Sequence, residues 1–188
     1  EIGGLTALTA SLRLEDNYLS KSLPSEVREL RNMAYNLRVS GMQLSGQLPT
    51  ELGRLSRLSR EVHFENNALT EQSAAHEDYY RDYGDAFPTE LGQMTSLMTR
   101  VYFNANSFFG TIPTQLGNWA SLESYLFLRE NQLCDDMPSK FERLVNTTLK
   151  HSEVYENNSI GTPCILPSPV PTLLPSALPT LEPTALPT

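Results

Sequence analysis

The sequence is poor in several residue types, and each shortage excludes a class of protein. Its 2 cysteines are too few for a disulfide-rich scaffold, and 14 lysines and arginines against 22 acidic residues leave no basic footprint for nucleic acid. No apolar run approaches the length of a membrane span. His63, His76 and His151 are scattered, without a nucleophile motif or a phosphate loop. We therefore predict no enzyme activity, no cofactor and no metal site.

The chain does contain a repeat, marked by proline at intervals of 25 residues once 14 inserted residues before Pro88 are set aside. Each interval repeats one apolar frame, as in Leu37, Val39, Leu44 and Leu48. A unit of this length cannot bury its own apolar face, so successive units must stack on one another. The marking prolines are Pro24, Pro49, Pro88, Pro113, Pro138 and Pro163.

Within each unit, apolar and outward residues alternate with the period of a half-buried strand, as in Leu12-Arg13-Leu14. We predict five parallel strands that line one wall. Their outward residues form either a partner-binding surface or a solvated strand face. The candidate contact residues are Arg13, Arg38, His63, Tyr102 and Phe127, with Tyr125 beside them.

Asparagines recur just after the predicted strands, where buried backbone groups need partners that an amide side chain can supply. Met42 takes this position in the second unit. We predict that the asparagines are structural and that the ladder is weaker at Met42 or is completed by neighbouring backbone. They are Asn17, Asn67, Asn106 and Asn131.

This frame, with the segments Leu44-Ser45-Gly46-Gln47-Leu48-Pro49 and Phe109-Gly110-Thr111-Ile112-Pro113, resembles the leucine-rich repeat family and its plant-type subclass over roughly residues 1–145. Each unit has 25 residues where the subclass usually has 24, and we expect the extra residue to form a bulge before the strand. The resemblance implies an α/β solenoid with short parallel strands on a concave face and loops, 3-10 turns and short helical turns on the convex face. It also implies that the concave face receives peptides, proteins or glycans.

We assign residues 1–163 to the solenoid, with about five full units and an irregular terminal coil, and residues 164–188 to a tail. In the terminal coil, His151 and Glu153 fall where apolar residues belong, which indicates a distorted closing turn. An insertion at 72–85 is acidic and rich in tyrosine. It is either a protruding partner-binding loop or a tolerated solvated insertion, with calcium binding a lesser alternative. The candidate contacts are Asp78, Tyr79, Tyr80, Asp82 and Tyr83.

Three features of the C-terminal region favour secretion. Cys134 and Cys164 are predicted to form a disulfide rather than two free thiols, and Asn146 and Asn157 begin N-glycosylation sequons. The tail has proline at every fourth residue and is predicted to be an extended, polyproline-like stalk. The serine or threonine after each proline is a candidate for O-linked sugars: Ser168, Thr172, Ser176, Thr180, Thr184 and Thr188.

The first residues, 1–5, align with 51–55 at the end of a unit, so an apolar coil end needs a cover from upstream repeats or from another copy. Two hypotheses follow. In the first, a non-catalytic extracellular glycoprotein self-assembles head to tail, through this coil and the tail, into a fibre, cell wall or surface coat. In the second, the chain is a recognition ectodomain that binds a peptide, protein or glycan on its concave face.

Overall fold

The structure is a computed structural model and describes residues 2–70 and 84–164. In chain order its strands are β1 (Ser11–Arg13), β2 (Ser20–Lys21), β3 (Asn36–Arg38), β4 (Gln43–Gln47), β5 (Glu61–His63), β6 (Ala68–Thr70), β7 (Arg100–Tyr102), β8 (Phe109–Gly110), β9 (Tyr125–Phe127), β10 (Gln132–Asp135), β11 (His151–Glu153) and β12 (Ser159–Ile160).

The odd-numbered strands form one parallel sheet of six strands in chain order, so each coil adds one strand beside the last. The even-numbered strands form two three-stranded sheets, β2-β4-β6 and β8-β10-β12. The five predicted strands are confirmed. At the third coil, the Tyr35 carbonyl accepts hydrogen bonds from the N–H groups of both Arg60 (3.1 Å) and Glu61 (3.2 Å). The bulge before each strand stays a prediction.

Short helices cross the side of each coil away from the six-stranded sheet. Most begin directly after a marking proline, which fixes φ and lacks an N–H group. The 3-10 helices are Ile2–Gly4, Ser25–Leu30, Thr50–Arg54, Thr89–Gln93 and Thr114–Asn118, followed by α1 (Ser139–Arg143) and a π-helical turn, Leu144–Thr148.

Glycines let these helices pack closely. A Cβ atom at Gly53 would lie 2.2 Å from the Glu90 carbonyl oxygen, and one at Gly92 would lie 2.4 Å from that of Gln115. At this approach only glycine fits.

The core lies between the six-stranded sheet and the helices and runs without a break through the coils. Leu37, Val62, Val101 and Leu126 point into it at successive registers of the sheet. Trp119 is also buried and satisfies its indole N–H by donating to the Leu91 carbonyl at 2.8 Å.

The predicted asparagine ladder is present. The Asn131 amide donates to the carbonyls of Phe103 (3.0 Å) and Leu128 (2.9 Å) and accepts from the Phe108 N–H (3.1 Å). Asn67 and Asn106 bond in the same way, while Asn17 reaches carbonyls of its own coil only. At the Met42 coil, the Val39 carbonyl accepts from Asn67 of the next coil at 2.9 Å, as the Phe64 carbonyl does from Asn106. That the ladder is weaker at Met42, or completed there by neighbouring backbone, stays a prediction.

The terminal coil contains a sixth strand, β11, where the sequence predicted a distorted closing turn because His151 and Glu153 fall at apolar positions. Ser152 pairs with Leu126, and Val154 is buried. The spacing here is 26 residues rather than 25, which turns His151 and Glu153 outward. Asn158 acts as the ladder asparagine of this coil, donating to the Leu128 carbonyl at 3.0 Å.

The Cys134–Cys164 disulfide is confirmed, with a Cα–Cα distance of 5.1 Å. It joins β10 to the segment after β12. Among the described residues, no helix is both long and apolar enough to span a membrane.

Candidate functional site

The outward side chains of the six-stranded sheet form a surface that we call the ladder face. Because the strands are in register, these side chains lie in columns. The middle column is Arg13, Arg38, His63, Tyr102, Phe127 and Glu153, and one neighbouring column is Ser11, Asn36, Glu61, Arg100, Tyr125 and His151. On the other side of the middle column lie Glu15, Ser40, Glu65, Asn104 and Arg129.

Half of the ladder face is a continuous cluster of rings. Tyr102 stacks on Phe127 at 4.7 Å with 5° between their planes, and His63 lies 4.5 Å from Tyr102 on its other side. Tyr125 meets Phe127 edge to face at 6.0 Å and stacks on His151 at 5.1 Å. The predicted residues His63, Tyr102, Tyr125 and Phe127 therefore touch one another, and His151 joins them.

Partial burial raises the pKa of Tyr102 above its ordinary value, although the charge of Arg100 acts in the opposite direction. The ordinary pKa of tyrosine is about 10, so this hydroxyl keeps its proton at neutral pH. Within the ring cluster, Tyr102 is thus a neutral hydroxyl that can donate to and accept from a ligand.

The other half of the face is a network of charges centred on Glu61. Its carboxylate hydrogen-bonds Arg38 on one neighbouring strand and Arg100, at 2.8 Å, on the other. Arg38 also lies 3.7 Å from Glu15, and Arg100 stands over the Tyr125 ring at 5.6 Å from its centroid. Charges and rings therefore form one connected surface.

The pKa of Glu61 is lower than its ordinary value. Burial acts to raise this pKa. The hydrogen bond from Arg38 and the charges of Arg38, His63 and Arg100 lower it, and together they outweigh the effect of burial. The same hydrogen bond raises the pKa of Arg38, against a smaller effect of burial. Both groups of this pair are charged at neutral pH.

His63 and Glu65 form a pair at the centre of the face. The His63 Nδ1 atom lies 3.1 Å from Glu65 Oε1. His63 is only 8% exposed because it is wedged against Tyr102 and the neighbouring strands. A histidine this buried on an outward strand position is held in one orientation.

The structure unites some predicted contact residues and separates others. Arg13 is exposed at one edge of the sheet, away from the ring cluster. His151 was missed because alignment on proline gives it an inward position; alignment of Val154 with Leu128 would have placed it beside Tyr125. The insertion residues Asp78, Tyr79, Tyr80, Asp82 and Tyr83 and the tail residues from Ser168 to Thr188 lie outside the described residues.

The N-glycosylation candidates Asn146 and Asn157 are both exposed, and both lie in the terminal coil. Among residues 2–70 and 84–164, no group of three or more His, Cys, Asp or Glu side chains is arranged to hold a metal ion.

No protein-family model and no curated protein sequence matches the chain. Solved structures do. Over 85% of its length, the chain superposes with a TM-score of 0.68 and 28% identity on the leucine-rich-repeat ectodomain of the Arabidopsis thaliana membrane receptor kinase GASSHO1/SCHENGEN3, in complex with CASPARIAN STRIP INTEGRITY FACTOR 2.

The chain is a leucine-rich-repeat solenoid.

Other similar structures have the same fold. The Arabidopsis receptor kinase HAESA, in complex with the peptide hormone IDA and the co-receptor SERK1, matches 79% of the solenoid chain with 27% identity and a TM-score of 0.62. A plant ice-binding protein matches 85% with 21% identity and a TM-score of 0.65, which shows the fold alone. The chain spans only 16% of the GASSHO1/SCHENGEN3 chain and 22% of the HAESA chain.

Proposed function

We propose that this leucine-rich-repeat solenoid is a non-catalytic extracellular interaction module that binds a protein or peptide partner on its ladder face. The observation that carries the proposal is the contact of His63, Tyr102, Phe127, Tyr125 and His151 in one ring cluster on a parallel sheet. Rigid rings with polar edges lose little entropy on binding and are enriched at interaction hot spots. The receptor structures named above, with their peptide and co-receptor complexes, support it.

An extracellular location, either secreted or at a cell wall or surface, fits the same picture. The Cys134–Cys164 disulfide is of the kind that persists in oxidising compartments. Asn146 and Asn157 are exposed, as an acceptor for an N-linked glycan must be. Treatment of the secreted protein with an endoglycosidase should lower its mass, and the change should disappear in the Asn146→Gln/Asn157→Gln variant.

A peptide selection tests the binding proposal. The folded chain would be immobilised and exposed to a phage-displayed library of random peptides, and in parallel to a glycan array. We expect peptides whose binding is lost in Tyr102→Ala and retained in Tyr18→Ala, since Tyr18 is 91% exposed and lies outside the ladder face. Thermal unfolding of both variants controls for folding. If no ligand from either source depends on Tyr102, the proposal is wrong.

A second candidate function is head-to-tail self-association with another copy, which would build a fibre or surface coat. It is favoured by the first coil, where Leu5 (44% exposed) and Leu19 (47% exposed) line an apolar cavity of about 480 Å³. The edge strands β1 and β11 also each lack a neighbour on one side among the described residues. The contribution of the tail stays a prediction.

Light scattering after size exclusion tests self-association. We expect a mass that rises with concentration and a return to monomer in Leu19→Lys. A constant monomer mass across the micromolar range contradicts it.

A further inference from the structure

The ladder face holds several buried polar atoms to which no described residue gives a hydrogen bond. They are Glu15 Oε2, Asn36 Oδ1, His63 Nε2 and Glu65 Oε2. A fifth atom without a hydrogen bond, Arg129 Nε, already faces Glu153 Oε2 at 2.6 Å. A buried polar atom without a partner is energetically costly, so such atoms are rare in folded proteins. Four on one surface point to a ligand.

Three of these atoms can only accept, namely the two carboxylate oxygens and the amide oxygen. His63 Nδ1 lies 3.1 Å from a carboxylate oxygen, which can only accept, so Nδ1 carries a ring proton, and Nε2 accepts whenever the ring is neutral. The ligand must therefore bring hydrogen-bond donors.

Glu65 also has no arginine or lysine partner among the described residues. The arginines of the neighbouring strands are engaged elsewhere, Arg38 with Glu15 and Glu61 and Arg100 with Glu61. Among the described residues, the Glu65 carboxylate has only His63 within ion-pair distance. Its side chain keeps 16% of its surface exposed, so the carboxylate lies near the surface, beside a His63 ring that contacts Tyr102.

We infer that the Glu65–His63 pair binds a lysine or arginine side chain of the polypeptide that occupies the ladder face; this rests on the function proposed above. One ammonium or guanidinium group supplies several N–H donors and cancels the carboxylate charge. Glu15 lies two strands away in the same column, about 10 Å at the usual strand spacing, which suits a second basic residue of the same segment. The net charge of −8 also attracts a basic partner.

The ring cluster argues against a neutral glycan as the occupant. A sugar ring packs against the open face of an aromatic side chain, whereas Tyr102 and Phe127 cover each other's faces, as do Tyr125 and His151. These rings present their edges to the ligand. Sugar hydroxyls would also leave the charge of Glu65 uncancelled.

The experiment uses peptides selected on the folded chain as described above. We expect lysine and arginine to be enriched among peptides that depend on Tyr102. For one synthetic peptide, acetylation of its lysine or Glu65→Gln in the protein should each weaken binding about tenfold or more. Glu65→Gln keeps an oxygen that accepts from His63 Nδ1, so the fold is retained. Glu142→Gln, the same change on α1 away from the ladder face, should leave affinity unchanged.

A charge reversal gives a second, independent measurement. Glu65→Lys should reject the basic peptide and accept its variant with glutamate in place of lysine. The inference is overturned, while the proposed function stands, if peptides depend on Tyr102 but show no basic enrichment and bind Glu65→Gln normally. A neutral glycan whose binding depends on Tyr102 overturns it as well. If nothing binds through Tyr102, the proposed function itself falls.

Discussion

At the scale of single residues, the position before each ladder asparagine adopts a left-handed backbone conformation. In the second coil, where Met42 takes the place of the asparagine, the residue before it is Gly41, which has the same conformation. Glycine, asparagine and aspartate tolerate this conformation, whereas other residues pay about 1–2 kcal/mol because Cβ crowds the carbonyl. Two coils therefore carry backbone strain, at Ala105 and Glu130. The values of φ are +56° at Asp16, +63° at Gly41, +57° at Asn66, +53° at Ala105, +56° at Glu130 and +53° at Asn157.

Ala105→Gly should stabilise the fold. Glycine removes the crowding between Cβ and the carbonyl at φ +53°. Because glycine also raises the conformational entropy of the unfolded chain, part of this gain is offset, and we expect a net increase of roughly 0.5 kcal/mol in the free energy of unfolding. Urea denaturation measures it. Ala68→Gly, in β6, is the matched control and should destabilise by about 0.5–1 kcal/mol. Equal destabilisation by both changes would refute the strain at Ala105.

Asn131→Ala should be among the costliest single substitutions. It removes two donated bonds and one accepted bond and leaves the Phe108 N–H buried without its partner. We expect a loss of about 2–4 kcal/mol in the free energy of unfolding. Asn17→Ala, whose exposed amide bonds only its own coil, should cost less than about 1 kcal/mol in the same denaturant titration. Similar losses at the two positions would contradict the ladder.

At the scale of elements, Glu61 connects three strands, since it is on β5 and bonds Arg38 of β3 and Arg100 of β7. Its pKa is lower in the folded chain than the ordinary value of about 4.3. The ionised carboxylate therefore contributes stability above pH 4.3, and that contribution is lost as the pH falls through the lower, folded pKa.

Glu61→Gln should reduce the free energy of unfolding by about 1–2 kcal/mol at pH 7, because Arg38 loses a charged partner in a half-buried network. The difference from wild type should shrink as the pH falls below about 4. Denaturant titrations across the pH range measure both effects. The exposed Arg28–Glu29 pair provides the control, and Glu29→Gln should have almost no effect. A difference that is constant with pH would mean that the charge of Glu61 is irrelevant.

The elements that the sequence predicted are those with a local pattern. The alternation at residues 12–14 and its repeats identified β1, β3, β5, β7 and β9, because inward leucine and valine mark the core side. The short strands β2, β8 and β12 have no such alternation and form through backbone bonds between neighbouring coils. β11 was hidden by one extra residue, which shifted Ser152 into the position of Leu126.

At the scale of the whole molecule, the disulfide fixes the last coil. Cys134 and Cys164 are 30 residues apart, and closing a loop of this length stabilises a fold by about 3 kcal/mol. The Cys134→Ser/Cys164→Ser variant should lose about this much in a denaturant titration, and reduction of the wild type should reproduce the loss. A change below about 1 kcal/mol would show that β10–β12 pairing alone secures the coil.

The ladder face could be predicted only in part, since the repeat placed Tyr102 and Phe127 in one column but did not show that their rings stack. The repeat also did not show that Arg38 bonds Glu61 and leaves Glu65 without an arginine partner. The ring stacking and the ion pairs depend on side-chain rotamers and on which of several nearby carboxylates each arginine contacts. Residue spacing carries no information about that choice.

The strict register of the sheet also has an evolutionary consequence. Each coil contributes a single row to the ladder face, and its inward residues contact only adjacent coils. Exchange or duplication of one 25-residue segment would therefore change one row of the ladder face and leave the other rows unchanged. Recombination between repeats could therefore vary the ladder face one row at a time while the stacking of the coils is kept.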